Sequence, residues 1–380
     1  MVTKYDVFAR IIEKSPCKHK DLGFKNPEYY HLRELIRLGY VKETKNGFIP
    51  IKNKVTTSIF KIIKTCIKSG LNYNLFLASD FPQTIQKLNN NLPELRPKDL
   101  KNNLSKKRSL EYLEKNQFIL VRKNKPKLGT LLDHSLIREV FRKNSLKEIK
   151  INEKFSKSVK KNVLRLHHQI NPFEDKYFAS ISGSVQLEGG TVTVGETIDM
   201  LTKEIYPDKN AKDIQMVKNL NEAMRFAIEI LDKELSIDLI KDINLKVMFS
   251  LHRNAGKFKV TQNKIRGNPS FKTTIPSRVG IELDKFCQEF NSIKTREECI
   301  QKLGFIHNYF QRIHPFSDGN SRTTRILVNL LLAKFDFPIL IFREGSFEKY
   351  MNLTKLSKKQ DDENLNKLLL HILLHESLIN

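Results

Sequence analysis

The chain has 380 residues, long enough for two or three domains that each bury a core. Its 67 Lys and Arg against 42 Asp and Glu give a net charge of +25, and no segment supplies the ~18 consecutive apolar residues of a membrane span. The polar start, Met1 to Arg10, is unlike a signal peptide, and Cys17, Cys66, Cys287 and Cys299 lack CxxC spacing; a cytoplasmic protein with no membrane partner, disulfide framework or zinc site is expected.

The charge is concentrated early: residues 1 to 165 carry 37 Lys and Arg against 15 Asp and Glu. Such a field attracts polyanions. Tyr5 to Glu13 reads as a helix, and a second amphipathic helix starts at Pro27 and continues through Leu32, Leu35, Ile36 and Leu38. Gly39-Tyr40-Val41 leads into a hairpin that turns at Lys45-Asn46-Gly47 and returns through Phe48 to Ile51. Helices followed by such a hairpin resemble a winged helix, placed at residues 1–54, with Tyr29, Tyr30, His31, Arg33 and Arg37 on its groove-facing helix. Duplex DNA is the implied partner, and protein docking stays open as the other use of such a module.

The pattern recurs. Pro82 to Asn91, Pro97 to Ser105 and Arg108 to Lys115 read as short helices, and Gln117 to Val121 with Lys127 to Leu132 as a second hairpin tipped by Arg122-Lys123-Asn124-Lys125. HLRELIRLGYVKET is echoed by SLEYLEKNQFILVRK, so a second basic, winged-helix-like domain is expected over 55–145. Lysine-rich residues 146–165 predict a charged helical connector into a last domain, 166–380.

Within that domain Ser184-Val185-Gln186-Leu187-Glu188-Gly189 is by itself a glutamate near a helix end. Thr295-Arg296-Glu297-Glu298 reads as a capping box, and Cys299, Leu303, Ile306, Phe310 and Ile313 form a buried helical stripe that ends beside His314. Gly319 and Asn320 suit a tight turn, and a helix from Arg322 to Phe335 follows with Ile326, Leu327, Leu330 and Leu331 inward. Free amides and the dipole at its start make an anion site. Arg322 and Arg325, one turn apart, can hold one polyphosphate, and Asp318 beside that charge calls for a cation such as Mg2+. His314 is the group able to accept a proton near neutral pH.

Residues 314–325 resemble the signature of the Fic family, HxFx[DE]GNGRxxR, at His314, Phe316, Asp318, Gly319, Asn320, Arg322 and Arg325, with His307, Phe310 and Ile313 fitting the lead-in. The resemblance extends over about residues 160 to 375. Leu251-His252-Arg253 through Gly256 is similar to the family's LHxxL entry, Lys259 standing where arginine is common, and Tyr350 and Leu365 to Leu374 suit its C-terminal packing. The implied fold is mainly α: an all-helical catalytic domain with a small β-hairpin flap at Phe271 to Pro276, preceded by winged-helix domains.

The resemblance implies a protein adenylyltransferase. His314 would take the proton from a Ser, Thr or Tyr hydroxyl of a target protein, Asp318 would hold Mg2+, and Arg322 and Arg325 would bind the β- and γ-phosphates of ATP. Gly319, Asn320 and Ser321 would form the anion hole, and Phe316 would anchor the loop. Ser184 and Glu188 fit the family's inhibitory pattern [ST]xxxE[GN], on a helix expected near 182–190, so Glu188 would compete for Arg325 and could also orient water for removing AMP. Ser321 replaces the signature's second glycine, which leaves γ-phosphate transfer by a protein kinase open. A DNA-binding regulator with a nucleotide-sensing domain also stays open, as does a homodimer.

Overall fold

The computed structural model describes residues 2–23, 26–91, 104–124, 127–144, 151, 153, 155, 158–265, 267–356 and 360–379. The first elements are α1 (Lys4–Lys14), α2 (His19–Leu22), α3 (Asn26–Arg37), β1 (Val41–Thr44), β2 (Gly47–Pro50), α4 (Lys54–Ser69), α5 (Tyr73–Leu77), α6 (Phe81–Asn91), α7 (Leu104–Lys115), β3 (Ile119–Asn124), β4 (Lys127–Leu131) and α8 (Ser135–Lys143). Then come α9 (Val159–Val163), α10 (Asp175–Leu187), α11 (Val194–Thr202), α12 (Ala211–Glu229), α13 (Ile237–Met248), α14 (Val279–Asn291), α15 (Arg296–Ile313), α16 (Asn320–Lys334), α17 (Glu344–Leu353) and α18 (Asp362–Leu378). The fold is mainly helical, with two small antiparallel hairpins. The chain divides into one unit of Met1–Leu92, Lys98–Tyr112 and Asp133–Asn152, and another of Pro93–Pro97, Leu113–Leu132 and Glu153–Asn380.

In the first unit, Thr3 and Asp6 close a capping box at the start of α1, which buries Val7, Phe8 and Ile11. α3 begins one residue before Pro27 and buries Leu32 and Leu35, leaving Tyr30, Arg33 and Arg37 exposed. His31, expected on the outward face, instead has its Nε2 3.1 Å from Val2 O. The hairpin turns where Asn46-Gly47 predicts, in register from Val41 opposite Pro50 to Thr44 opposite Gly47, and Cys17 adds an antiparallel bridge to Phe48. α4, capped by Asn53, packs its Ile59, Ile62 and Ile63 stripe toward α8, where Lys61 pairs with Glu139 at 3.2 Å.

The expected second domain over 55–145 does not close on itself. The hairpin β3–β4 forms near its predicted place but packs within the other unit, because its polar groups find partners far along the chain. Gln117 Nε2 donates to Ile341 O and to Glu376 Oε1, both at 2.8 Å, and the Val121 amide donates to His375 Nδ1 at 2.8 Å. The helix expected over Pro97 to Ser105 lies mostly outside the described residues. In the connector expected over 146–165, α9 is the one helix among the described residues.

In the second unit a single apolar core runs from Leu120 and Leu132 on the hairpin through Tyr177, Phe286, Phe310 and Phe316 to Leu368 and Ile372. α15 packs against α16 and α18, and α16 against α12 and α13. Phe271 to Pro276 does not form the expected hairpin flap: it is unpaired by strands. Its polar groups go elsewhere, the Thr274 amide donating to Arg312 O at 3.0 Å and Gln262 Nε2 to Thr273 O at 2.9 Å. None of the described helices is long and apolar enough to cross a membrane.

Candidate active site

The site lies at the break between α15 and α16. The predicted capping box starts α15: the Glu298 amide donates to Thr295 Oγ1 and the Thr295 amide to Glu298 Oε2, both at 3.1 Å. The stripe from Cys299 to Ile313 is buried, and the helix stops at His314, whose φ of 49° is left-handed. Such a conformation is uncommon for a residue other than glycine and persists where the surroundings hold it. Here the His314 amide still donates to Phe310 O at 2.9 Å.

The loop then folds around its own side chains. Phe316 is 1% exposed and anchors the segment in the core. The Phe316 amide donates to Asn320 Oδ1 at 3.0 Å and Asn320 Nδ2 donates to Phe316 O at 2.7 Å, so Asn320 staples the loop with its side chain. Gly319 has φ 80°, and a Cβ there would lie 2.6 Å from both Met248 Cγ and Sδ. Asn244 of α13, which sequence patterning does not single out, is 1% exposed and donates to Asp318 O at 3.3 Å and Thr323 Oγ1 at 3.1 Å while accepting from the Gly256 amide at 3.0 Å. Its only sequence signal is an amide on the apolar face of a helix.

No side chain caps the start of α16. Around those first-turn amides stand Ser321, half-buried with no hydrogen-bond partner for its hydroxyl among the described residues, and Arg322. The Arg322 side chain is 5% exposed; Nη2 reaches Asp318 Oδ1 at 3.3 Å, but Nε and Nη1 are buried without partners among the described residues. Buried guanidinium nitrogens left unmatched are costly and mark a place for an anion.

Arg325, one turn on, is fully engaged. Nε donates to Ser184 Oγ at 2.8 Å, and Nη2 to Ser184 O at 3.2 Å and to Glu188 Oε1 at 2.8 Å. Ser184 and Glu188 thus meet Arg325 across 141 and 137 residues of sequence. Glu188 is the C-cap of α10, which approaches so closely that a Cβ on Gly183 would lie 2.2 Å from Phe342 O. Burial pushes the Glu188 carboxyl up, but Arg325, with Lys355 and Arg322 beyond it, overrides this and holds it at about 2. Behind Arg325, Tyr350 OH lies 2.7 Å from His307 Nε2, an arrangement invisible in the sequence.

His314 is 9% exposed and its Nδ1 has no hydrogen-bond partner among the described residues. Burial, then the charges of Lys259 and Lys355, pull it down to about 4 against smaller opposing effects of a hydrogen bond involving Gln311 and of Asp318. The ring is therefore neutral at pH 7 and able to accept a proton. Asp318 is 54% exposed. Its Oδ1 accepts from the Gly319 amide at 2.6 Å, and no three His, Cys, Asp or Glu side chains gather as metal ligands among the described residues. Were a phosphate bound beside Asp318, this one exposed carboxylate would suit Mg2+, which takes one or two carboxylates and completes its shell with phosphate oxygens and water.

Residues 234–332 match the family model described as Fic/DOC family. The chain is 29% identical over 187 residues to protein adenylyltransferase fic-1 of Caenorhabditis briggsae, covering 47% of this chain and 36% of that protein. It is 27% identical over 201 residues to protein adenylyltransferase Fic of Drosophila grimshawi, covering 50% and 39%. The chain therefore spans well under half the length of these relatives. Among solved structures, a Fic domain containing signaling protein from Bacteroides thetaiotaomicron aligns with a TM-score of 0.47 at 22% identity, covering 58% of this chain and 92% of that one. Fic-1 from C. elegans aligns at 0.46 and 17%, covering 93% and 92%.

Proposed function

We propose that this chain, which carries a Fic/DOC family domain at residues 234–332, transfers AMP from ATP to a hydroxyl of a target protein and is held off by Glu188. The observation that carries the reading is Arg322, whose buried Nε and Nη1 await an anion at the uncapped start of α16. ATP phosphates there would meet Arg322, the first-turn amides and the free Ser321 hydroxyl, while Asp318 would hold Mg2+ against them. Mg2+ would supply charge neutralisation at the phosphates.

His314, neutral and buried, would take the proton of the attacking hydroxyl. The hydroxyl oxygen bonds to the α-phosphorus, the bond from that phosphorus to the bridging oxygen breaks, and pyrophosphate leaves with the electron pair. The rigid loop contributes positioning, which dominates transfer at phosphorus. Glu188 occupies Arg325, the second cation that would meet the polyphosphate, so ATP would meet a site where that charge is already neutralised.

ATP labelled at the α- or the γ-phosphate, incubated with the Glu188→Gly protein, tests the reading. Label retained on protein from the α-position alone is the expected result. Retention from the γ-position alone makes Ser321 the mark of a kinase, and retention from neither removes the transferase reading.

The first unit supports a second role, contact with duplex DNA. α3 exposes Tyr30, Arg33 and Arg37 while its opposite side is buried, and the basic excess lies in this half of the sequence. Binding of a fluorescent duplex is expected to weaken by about 10-fold or more between 50 and 200 mM salt, and further with Arg33→Glu and Arg37→Glu together. Salt-independent binding, or none, assigns the unit to protein docking.

A further inference from the structure

Lys259 lies between α13 and α14 with 3% of its surface exposed. An ammonium buried so deeply is ordinarily paired with a carboxylate. Lys259 has none among the described residues. Its Nζ donates instead to Thr273 Oγ1 at 3.1 Å and to Ile313 O at 3.4 Å, and its backbone amide donates to Pro315 O at 2.9 Å. Those two carbonyls belong to the residues on either side of His314. The grip extends one residue further on each strand, because Phe258 bridges antiparallel to Phe316 with their rings 5.9 Å apart.

We infer that Lys259 is a positioning residue for His314, holding the carbonyls on both sides of the histidine with its amine and its amide and setting a buried positive charge beside the ring. This rests on the reading of His314 as the base. The hold bears on the feature of His314 that needs one, its left-handed backbone. Its charge bears on the proton. Burial pulls the Lys259 amine down to about 8, and Lys259 is the foremost charge pushing His314 toward neutrality. The other charges facing the ring are Lys355, after α17, and Asp318, in the loop itself. Lys355 acts in the same direction and Asp318 against it. Lys259 alone also contacts the backbone that carries His314.

The experiment reads the His314 ring directly, by proton NMR of the full chain without nucleotide, its resonance assigned by loss in His314→Gln. In the unsubstituted protein that resonance should show an inflection near pH 8 as Lys259 loses its proton, besides the histidine's own near pH 4. Lys259→Met keeps the aliphatic stem and removes the charge, and the His314 inflection should move up from about 4 toward the ordinary value near 6.5, with burial still holding it below that value. Lys259→Arg should leave it in place. In the Glu188→Gly background, Lys259→Met should lower kcat roughly 10-fold with KM for ATP within about 2-fold, as expected for a misplaced base rather than lost nucleotide contacts.

An unmoved His314 inflection in folded Lys259→Met, or Lys259→Arg behaving as Lys259→Met, overturns the assignment. Should Lys259→Met not fold, absence of the pH 8 inflection in the unsubstituted protein does so. The NMR readout needs no transfer, so a chain that never labels a target would end the transferase reading while leaving the Lys259 result to stand or fall by itself.

Discussion

In Glu188→Gly, AMP incorporation from labelled ATP is expected to rise at least ~10-fold, while the nucleotide-free protein melts at a lower temperature. Both effects come from one contact. The Glu188 to Arg325 pair is 2.8 Å long and its partners are 20% and 5% exposed, so removing the carboxylate leaves a buried guanidinium held by Ser184. Breaking a buried pair from one side costs on the order of 3–5 kcal/mol. ATP would return part of it by supplying the missing anion, and a ligand at 100 times its Kd adds about 2.7 kcal/mol. Differential scanning fluorimetry should therefore show a larger ATP-induced rise in Tm for the variant than for the parent. Equal shifts together with unchanged incorporation would rule out the lock. Because Glu188 lies at about 2, below its ordinary 4.5, the pair contributes fully above about pH 4.5 and is lost only as pH falls toward 2. If the pair is a lock, its release at physiological pH would come from displacement of the carboxylate and not from its protonation.

His314→Ala is expected to lower transfer in the Glu188→Gly background by ~10²–10⁴-fold, the usual contribution of a general base, while ATP still produces its thermal shift. Alanine also pays for the left-handed backbone at φ 49°, about 1–2 kcal/mol, so His314→Asn is the cleaner variant, asparagine tolerating that conformation better. The two should be equally inactive. Retained transfer in His314→Asn would remove His314 from the chemistry. The pH dependence of kcat/KM adds a second check, since it reports groups of the free enzyme. With His314 pulled down to about 4, the acidic limb should fall near pH 4 rather than 6.5.

What the sequence discloses follows the range of the interaction. The α15 capping box, the stop at His314, the turn at Gly319 and the Asn46-Gly47 hairpin are local in the chain, and each forms where the residues indicate. The approach of Glu188 to Arg325 was expected from a motif rather than from any periodicity. Asn244, Lys259 and His307 reach partners 79, 54 and 43 residues away, and although the family resemblance marks Lys259, His307 and Tyr350, nothing local in the chain shows which partners these residues take. The flap expected at Phe271 to Pro276 is absent because Arg312 and Gln262 take backbone groups a second strand would have used. The domain boundary at 145 is crossed for a similar reason, since the repeat that suggested it describes the hairpin itself and not the partners it packs against.

That hairpin imposes an order on synthesis. Leu120 and Leu132 belong to the core that α18 completes, and the Val121 amide waits for an imidazole 254 residues downstream. At about 5–20 residues per second on the ribosome, the strand edge of β3 would stand without that partner for roughly 10 to 50 s. An apolar hairpin exposed for that long invites pairing with other chains. The basic residues at its end, Arg122 and Lys123, are then the part of the strand best placed to discourage such pairing while the rest of the polypeptide is made.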